Sequence, residues 1–171
     1  DCLDAPSSIH NMLTNADMTF GNIKDEDGDE VELTEGNYSS FIKSKDRSVR
    51  EAAFKRLFGE YKKFDNTLAT TLTSSVKSFN FSARVRKYES PIEASLSPND
   101  IPVSVYENAI KTINDNLSSL HRYVKIKKKL LGLEQMHMYD LYVPIIEVEK
   151  EKISFDEGVK LANERSEERR V

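Results

Sequence analysis

The chain has 171 residues, of which 38% are hydrophobic and 32% charged, and its net charge is −4 at pH 7. This length suffices for one hydrophobic core, and six Gly with five Pro favour helices over short strands joined by tight turns. The single cysteine, Cys2, excludes an intrachain disulfide and a thiolate metal cluster. Because no apolar run approaches the roughly 20 residues of a membrane span, we expect a soluble, cytoplasmic, mainly α-helical protein.

The first structured feature that the sequence predicts is a β-hairpin over residues 19–33. Its turn is Asp25–Glu30, in which an Asp-Gly pair lies between two short alternating runs. Gly28 can adopt the positive φ that a tight hairpin turn requires. Asp25, Asp27 and Asp29 alternate like the first ligands of a twelve-residue EF-hand calcium loop. That loop needs Gly at its sixth position and a bidentate Glu at its twelfth, whereas here Gly28 is at the fourth position and Gly36 at the twelfth. The spacing therefore argues against calcium.

Helix signals account for most of the remaining chain. Thr34 can cap a short helix that runs to about Lys43, and Asp46 can cap a long helix over about 46–82. The middle of the long helix is rich in Thr and Ser, whose hydroxyls we expect to donate hydrogen bonds back to the backbone. A second long helix is predicted over about 103–131, ending at Gly132. Short helices should begin at the capping boxes Ser90–Glu93 and Ser154–Glu157. We expect two long helices, several short ones and one hairpin, forming a single helical segment over residues 1–171.

The residues that would carry hydrolytic chemistry do not form a recognisable set. The three histidines, His10, His121 and His137, include no His-Glu-x-x-His pair, which would place two zinc ligands on one helix face. There is also no Gly-x-Ser-x-Gly elbow and no glycine-rich phosphate loop. The sequence predicts neither a catalytic residue nor a metal ligand within this chain.

Two basic clusters and one amphipathic helix leave other functions open. Arg84–Tyr88 and Lys125–Lys129 suggest RNA, although solvated helix faces explain them more simply in an acidic protein, and we predict no nucleic-acid partner. The heptad-like apolar spacing of Val103–Leu131 suggests a helix that pairs with a partner or with itself. A freestanding helical interaction module is therefore the alternative hypothesis.

The most unusual segment is Met136–Ile145, which follows Gly132 and includes Pro144. It sets two tyrosines, a histidine and an aspartate close together, and such polar groups need hydrogen-bond partners if they are buried. Structural anchoring explains this pattern better than substrate contact does.

Seven ordered blocks of the sequence resemble the oligoendopeptidase F family of zinc metallopeptidases, which is related to thimet oligopeptidase. They are Asn11–Phe20, Asp25–Gly28, Ser44–Phe54, Ala83–Tyr88, Glu93–Leu96, Leu120–Tyr123 and His137–Pro144. The resemblance implies a mainly helical fold with a deep channel and cleavage of short peptides by zinc bound to a His-Glu-x-x-His motif and a further Glu. In that family the motif lies downstream of the His137–Pro144 block.

The resemblance therefore implies a non-catalytic portion of a larger peptidase, without zinc of its own. Its partners would be the rest of that enzyme and, in the intact enzyme, an oligopeptide. The chain begins at Asp1 rather than Met and ends within the charged run Glu164–Val171, which also suggests a piece of a longer polypeptide. We nominate His137, Tyr139 and Tyr142 as residues that face the substrate channel. Uncovered apolar surface would make the isolated chain prone to self-association.

Overall fold

The computed structural model describes residues 2–146 and 153–167 and confirms a mainly α-helical fold. The described helices are α1 (Ala5–Met12), α2 (Glu35–Phe41), α3 (Arg47–Lys63), α4 (Asp65–Val85), α5 (Pro91–Leu96), α6 (Val103–Asp115), α7 (Leu117–Leu130) and α8 (Phe155–Glu167). The two strands are β1 (Asn22–Lys24) and β2 (Glu30–Glu32). Short 3₁₀ turns and a π-helical turn at Leu13–Asp17 complete the described elements. The last predicted helix, which begins at the Ser154–Glu157 capping box, is described as far as Glu167, and residues 168–171 lie outside the described ranges.

The predicted hairpin is confirmed near the N-terminus. The strands β1 and β2 pair antiparallel, with Ile23 opposite Val31. Gly28 has the expected positive φ of 89°. The carboxylate of Asp25 closes the turn, because its Oδ1 accepts hydrogen bonds from the backbone N–H of Asp27 at 2.9 Å and of Asp29 at 3.0 Å. One face of the hairpin is buried through Ile23, and the hairpin thereby joins the core.

The predicted N-terminal caps are largely confirmed. Thr34 forms a reciprocal capping box with Asn37, and Asp46 accepts a hydrogen bond from the Ser48 N–H at 2.7 Å. Ser154 and Glu157 also exchange hydrogen bonds. At Ser90 half of the predicted box is present: Ser90 Oγ accepts from the Glu93 N–H, but the Glu93 carboxylate accepts from the N–H of Glu89 instead. The first of these helices ends at Phe41 rather than at about Lys43.

Each predicted long helix is interrupted by one residue. Phe64, with φ −109° and ψ 17°, separates α3 from α4, and its ring packs against the core. Asn116, with φ −107° and ψ 6°, separates α6 from α7, and its side-chain amide donates to the Thr112 carbonyl at 2.8 Å. Local bonds of this kind compete with the helical ladder. Each of the two long spans is helical, and a single residue divides it into two successive helices.

The core lies at the N-terminal end of the described chain. It is formed by the buried residues Leu13, Met18, Phe20, Ile23, Leu33, Ala53 and Leu57. The hairpin packs on α3, while α1 packs on α4. The expected back-bonding occurs in α4, where the hydroxyls of Thr70, Thr71 and Thr73 donate to carbonyls one turn earlier. Among the described helices, none is long and apolar enough to cross a lipid bilayer.

A candidate functional segment at His137 to Pro144

The segment after α7 forms a 3₁₀ turn at Met138–Asp140 that is anchored by a fully buried carboxylate. The α7 helix ends at Leu130, and Gly132, with φ 65°, turns the chain into this segment as predicted. Asp140 Oδ1 accepts from Arg47 Nε at 3.1 Å and from Arg50 Nη2 at 2.9 Å. Its Oδ2 accepts from Arg47 Nη2 at 3.0 Å. Arg47 and Arg50, on one face of α3, thus bind a segment that lies about 90 residues further along the chain.

Further hydrogen bonds fix the backbone around this carboxylate. The His137 N–H donates to Asp140 Oδ2 at 3.0 Å. Arg50 Nη1 donates to the carbonyls of Ser44 and Lys45, so this arginine also ties the loop before α3 to the segment. From α7, the buried Lys127 donates through Nζ to the Leu141 carbonyl at 2.6 Å. We call Arg47, Arg50 and Asp140 the arginine clamp.

The arginine clamp keeps its carboxylate ionised. Burial acts to raise the pKa of Asp140, but the hydrogen bonds from Arg47 and Arg50 outweigh it and lower the pKa to about 2. The same contact with Asp140 raises the pKa of Arg47. An ionised, doubly paired carboxylate of this kind accepts hydrogen bonds and holds the backbone, but it is a poor proton donor or acceptor near neutral pH.

An aromatic stack lies beside the clamp. The rings of His137 and Tyr139 are parallel within 7°, with centroids 5.1 Å apart. The rings of Phe54 and Tyr139 pack edge to face with centroids 5.9 Å apart, and the Arg47 guanidinium lies 5.3 Å from the Tyr139 ring centroid. Cations close to an aromatic ring are attracted to its electron-rich face. Tyr139 is therefore held by packing on several sides.

The structure brings two of the three nominated channel residues together. Tyr139 is buried, and His137 covers its ring while remaining exposed to solvent. Tyr142 is 62% exposed and lies outside this stack, near Tyr38, whose pKa is raised first by burial and then by electrostatic repulsion from Tyr142. The role of these residues in a channel remains a prediction. Exposure makes His137 and Tyr142 the better candidates.

Arg47, Arg50 and Lys127 were not singled out from the sequence, although they hold the segment in place. A signal was present, because a buried Asp140 needs a cation and the two arginines stand three positions apart on one helix face. Pairing between residues 90 or more positions apart, however, depends on how the helices pack.

Lys127 also bears on the RNA hypothesis, because the central lysine of the Lys125–Lys129 cluster is buried rather than available to phosphate.

Within residues 2–146 and 153–167, no group of three or more His, Cys, Asp or Glu side chains is placed to hold a metal ion.

Two grooves lie on the surface of the described helices. One of about 420 Å³ lies between α1 and α4, beside His10 and Thr71. Another, of about 340 Å³, lies between α4, α5 and α6 and is lined by uncharged side chains.

Comparison with known proteins identifies the family. Residues 40–163 match the model of Peptidase family M3. The chain is 46% identical to Oligopeptidase PepF of Bacillus subtilis over 158 residues, which is 92% of this chain and 24% of that protein. It is 44% identical to Group B oligopeptidase PepB of Streptococcus agalactiae, over 94% of this chain and 26% of that protein. The crystal structure of oligoendopeptidase-F from Enterococcus faecium superposes with a TM-score of 0.84 at 47% identity, covering 86% of this chain and 29% of that one.

The chain belongs to peptidase family M3, a family of metallopeptidases. Relatives from Lactococcus lactis and Enterococcus faecium carry the name oligoendopeptidase F, which confirms the resemblance seen in the sequence blocks. The chain spans about a quarter of the length of the relatives it matches.

Proposed function

We propose that the chain is a non-catalytic helical portion of a zinc-dependent, cytoplasmic oligoendopeptidase that hydrolyses short peptides, and that it forms part of the wall of the substrate channel. The observation that carries the proposal is the 46% identity to an oligopeptidase over 92% of the chain. We call the longer polypeptide the parent enzyme. Its zinc ligands and catalytic residues would lie outside this chain.

The physical case for a supporting role is the rigidity of the arginine clamp. A zinc-bound water attacks a peptide only when the ligands, the base and the substrate are held in position to within fractions of an ångström. The clamp joins α3 to the segment after α7 through charge-assisted hydrogen bonds on a fully buried carboxylate. It thereby fixes the backbone that presents His137 and Tyr142. These side chains would contact a bound peptide, while Tyr139 would keep His137 in place.

The proposal predicts that the isolated chain has no peptidase activity. Purified chain with added zinc should give no chelator-sensitive cleavage of a quenched fluorogenic peptide, because it lacks a metal-binding motif. Bacillus subtilis PepF serves as the positive control. Chelator-sensitive turnover by the chain, or tightly bound stoichiometric zinc, would overturn the proposal.

The channel assignment is tested in the parent enzyme or in a chimera in which this chain replaces the matching segment of PepF. His137→Ala should raise KM several-fold with a smaller change in kcat, since lost substrate contacts weaken binding. Asn108→Ala, on the exposed polar face of α6, is the matched control. An unchanged KM in His137→Ala would remove this residue from the channel.

The alternative function is a freestanding helical interaction module that pairs through α6 and α7. Exposed apolar residues on both helices, among them Ile113 and Leu130, favour it. The break at Asn116 counts against a continuous heptad seam. Sedimentation at several concentrations tests this alternative, because a monomer at every concentration excludes self-pairing.

A further inference from the structure

The uncharged groove between α4, α5 and α6 is bounded by apolar side chains that are largely open to solvent. We call it the α4–α5–α6 groove and define it by Val76, Phe79, Ile92, Leu96 and Tyr106. Phe79 is 61% exposed, Val76 50% and Ile92 43%. Concentrated apolar exposure of this kind marks a contact surface more often than free surface.

The apolar surface continues from the groove along α6. Tyr106 is followed on the same helix face by Ile110 and Ile113, at steps of four and three residues. Ile110 is 45% exposed and Ile113 65%, and α6 contains no buried residue. A helix of this length is stabilised mainly by packing of its apolar face. Within the described part of the chain, that face of α6 is only partly covered.

The chemistry of the groove determines what kind of partner it accepts. None of the side chains that line it carries a charge. Such a lining offers no ion-pair partner to a phosphate backbone or to a charged peptide, and it is complementary to an apolar helix face or loop.

We propose that the α4–α5–α6 groove is the docking site for an apolar segment of the parent enzyme that lies outside this chain. The proposal rests on the proposed function, namely that the chain is a portion of an oligopeptidase. The chain covers 24% of PepF, so about three quarters of such an enzyme is available to cover the groove. In the Enterococcus faecium structure, the part that matches 86% of this chain, with a TM-score of 0.84, forms 29% of a longer chain. The groove is therefore an internal contact of the parent enzyme.

The test compares thiol accessibility at two positions of α6. Tyr106→Cys lies in the groove, and Asn108→Cys, an exposed position on the opposite face, is its control; both are made in a Cys2→Ser background. In the isolated chain a maleimide should modify both thiols at rates within about threefold, because both sites are open. In the PepF chimera, site-resolved mass spectrometry should show Tyr106→Cys modified about 50-fold more slowly, with Asn108→Cys unchanged.

Two results would overturn the proposal. One is equal reactivity of the two thiols in the folded chimera. The other is protection of Tyr106→Cys in the chimera that grows with protein concentration, which would assign the groove to a second copy. Ile92→Cys provides a second groove site if Tyr106→Cys prevents folding.

Peptidase activity of the chimera separates the two proposals. An active chimera with an unprotected groove would defeat the docking site and leave the function intact. A protected groove in a folded, zinc-loaded chimera without peptidase activity would support the docking site and contradict the proposed function.

Discussion

At the scale of single residues, Asp140 is a buried charge on which the fold around α3 depends. It is fully buried, yet it stays ionised because Arg47 and Arg50 both donate to it. Arg50 is itself buried, so removing the carboxylate leaves an unpaired charge inside the protein. Breaking a buried pair in this way costs about 3 to 5 kcal/mol. The arginine clamp therefore matters more to stability than the exposed ion pairs of the described helices do.

The clamp predicts a specific loss of stability in acid. The folded pKa of Asp140, about 2, is below its ordinary value of 3.8, so the stabilisation is present above pH 4 and is lost as pH falls toward 2. This loss should amount to about 2 kcal/mol, measured by urea unfolding between pH 5 and pH 2.

Asp140→Asn should be less stable at pH 7 and should lack this part of the pH dependence. The matched control is Asp27→Asn in the exposed hairpin turn, which should keep the wild-type profile. Identical pH profiles for Asp140→Asn and wild type would show that the clamp does not stabilise the fold.

At the scale of secondary-structure elements, the helix beginnings are set by local hydrogen bonds. Thr34 accepts from the Asn37 N–H, and Asn37 Oδ1 accepts from the Thr34 N–H at 2.8 Å. Both bonds satisfy backbone donors that have no partner within a helix. Such caps act within four residues and were therefore predictable. The break at Phe64 was not predictable in this way, because the Phe64 ring packs against a core built from residues distant along the chain.

Thr34→Ala should lower the free energy of unfolding by about 1 kcal/mol, because α2 loses its capping oxygen. Thr73→Ala is the matched control, since Thr73 is exposed in the middle of α4 and its hydroxyl only bonds back to the Ala69 carbonyl. Thermal or urea unfolding of the two variants measures the difference. Equal losses in both would mean that the cap contributes nothing specific.

At the scale of the whole molecule, burial is unevenly distributed. The core cluster lies between Leu13 and Leu57, whereas from Arg84 to Met138 Lys127 is the only buried residue. Residues 84–138 therefore gain little burial from the rest of the described chain. This asymmetry fits a portion of a larger enzyme.

Hydrogen exchange should follow this asymmetry. In the isolated chain, backbone amides of α6 should exchange at least about 100-fold faster than those of α3, because regions with few buried contacts open more easily. Mass spectrometry of peptic fragments measures both helices in one experiment. Slow exchange in α6 at low protein concentration would contradict an uncovered apolar face.

Sequence alone determined the helical class, the hairpin, most caps, the turn at Gly132 and the family, since these depend on neighbouring residues or on ordered blocks. Tertiary structure decided the rest. It paired Asp140 with arginines 90 and 93 residues away, and it buried Tyr139 while leaving Tyr142 exposed. It also left one face of α6 uncovered. The reason is physical: a cap or turn is completed within a few residues, whereas a buried ion pair or an open groove exists only once distant helices have packed.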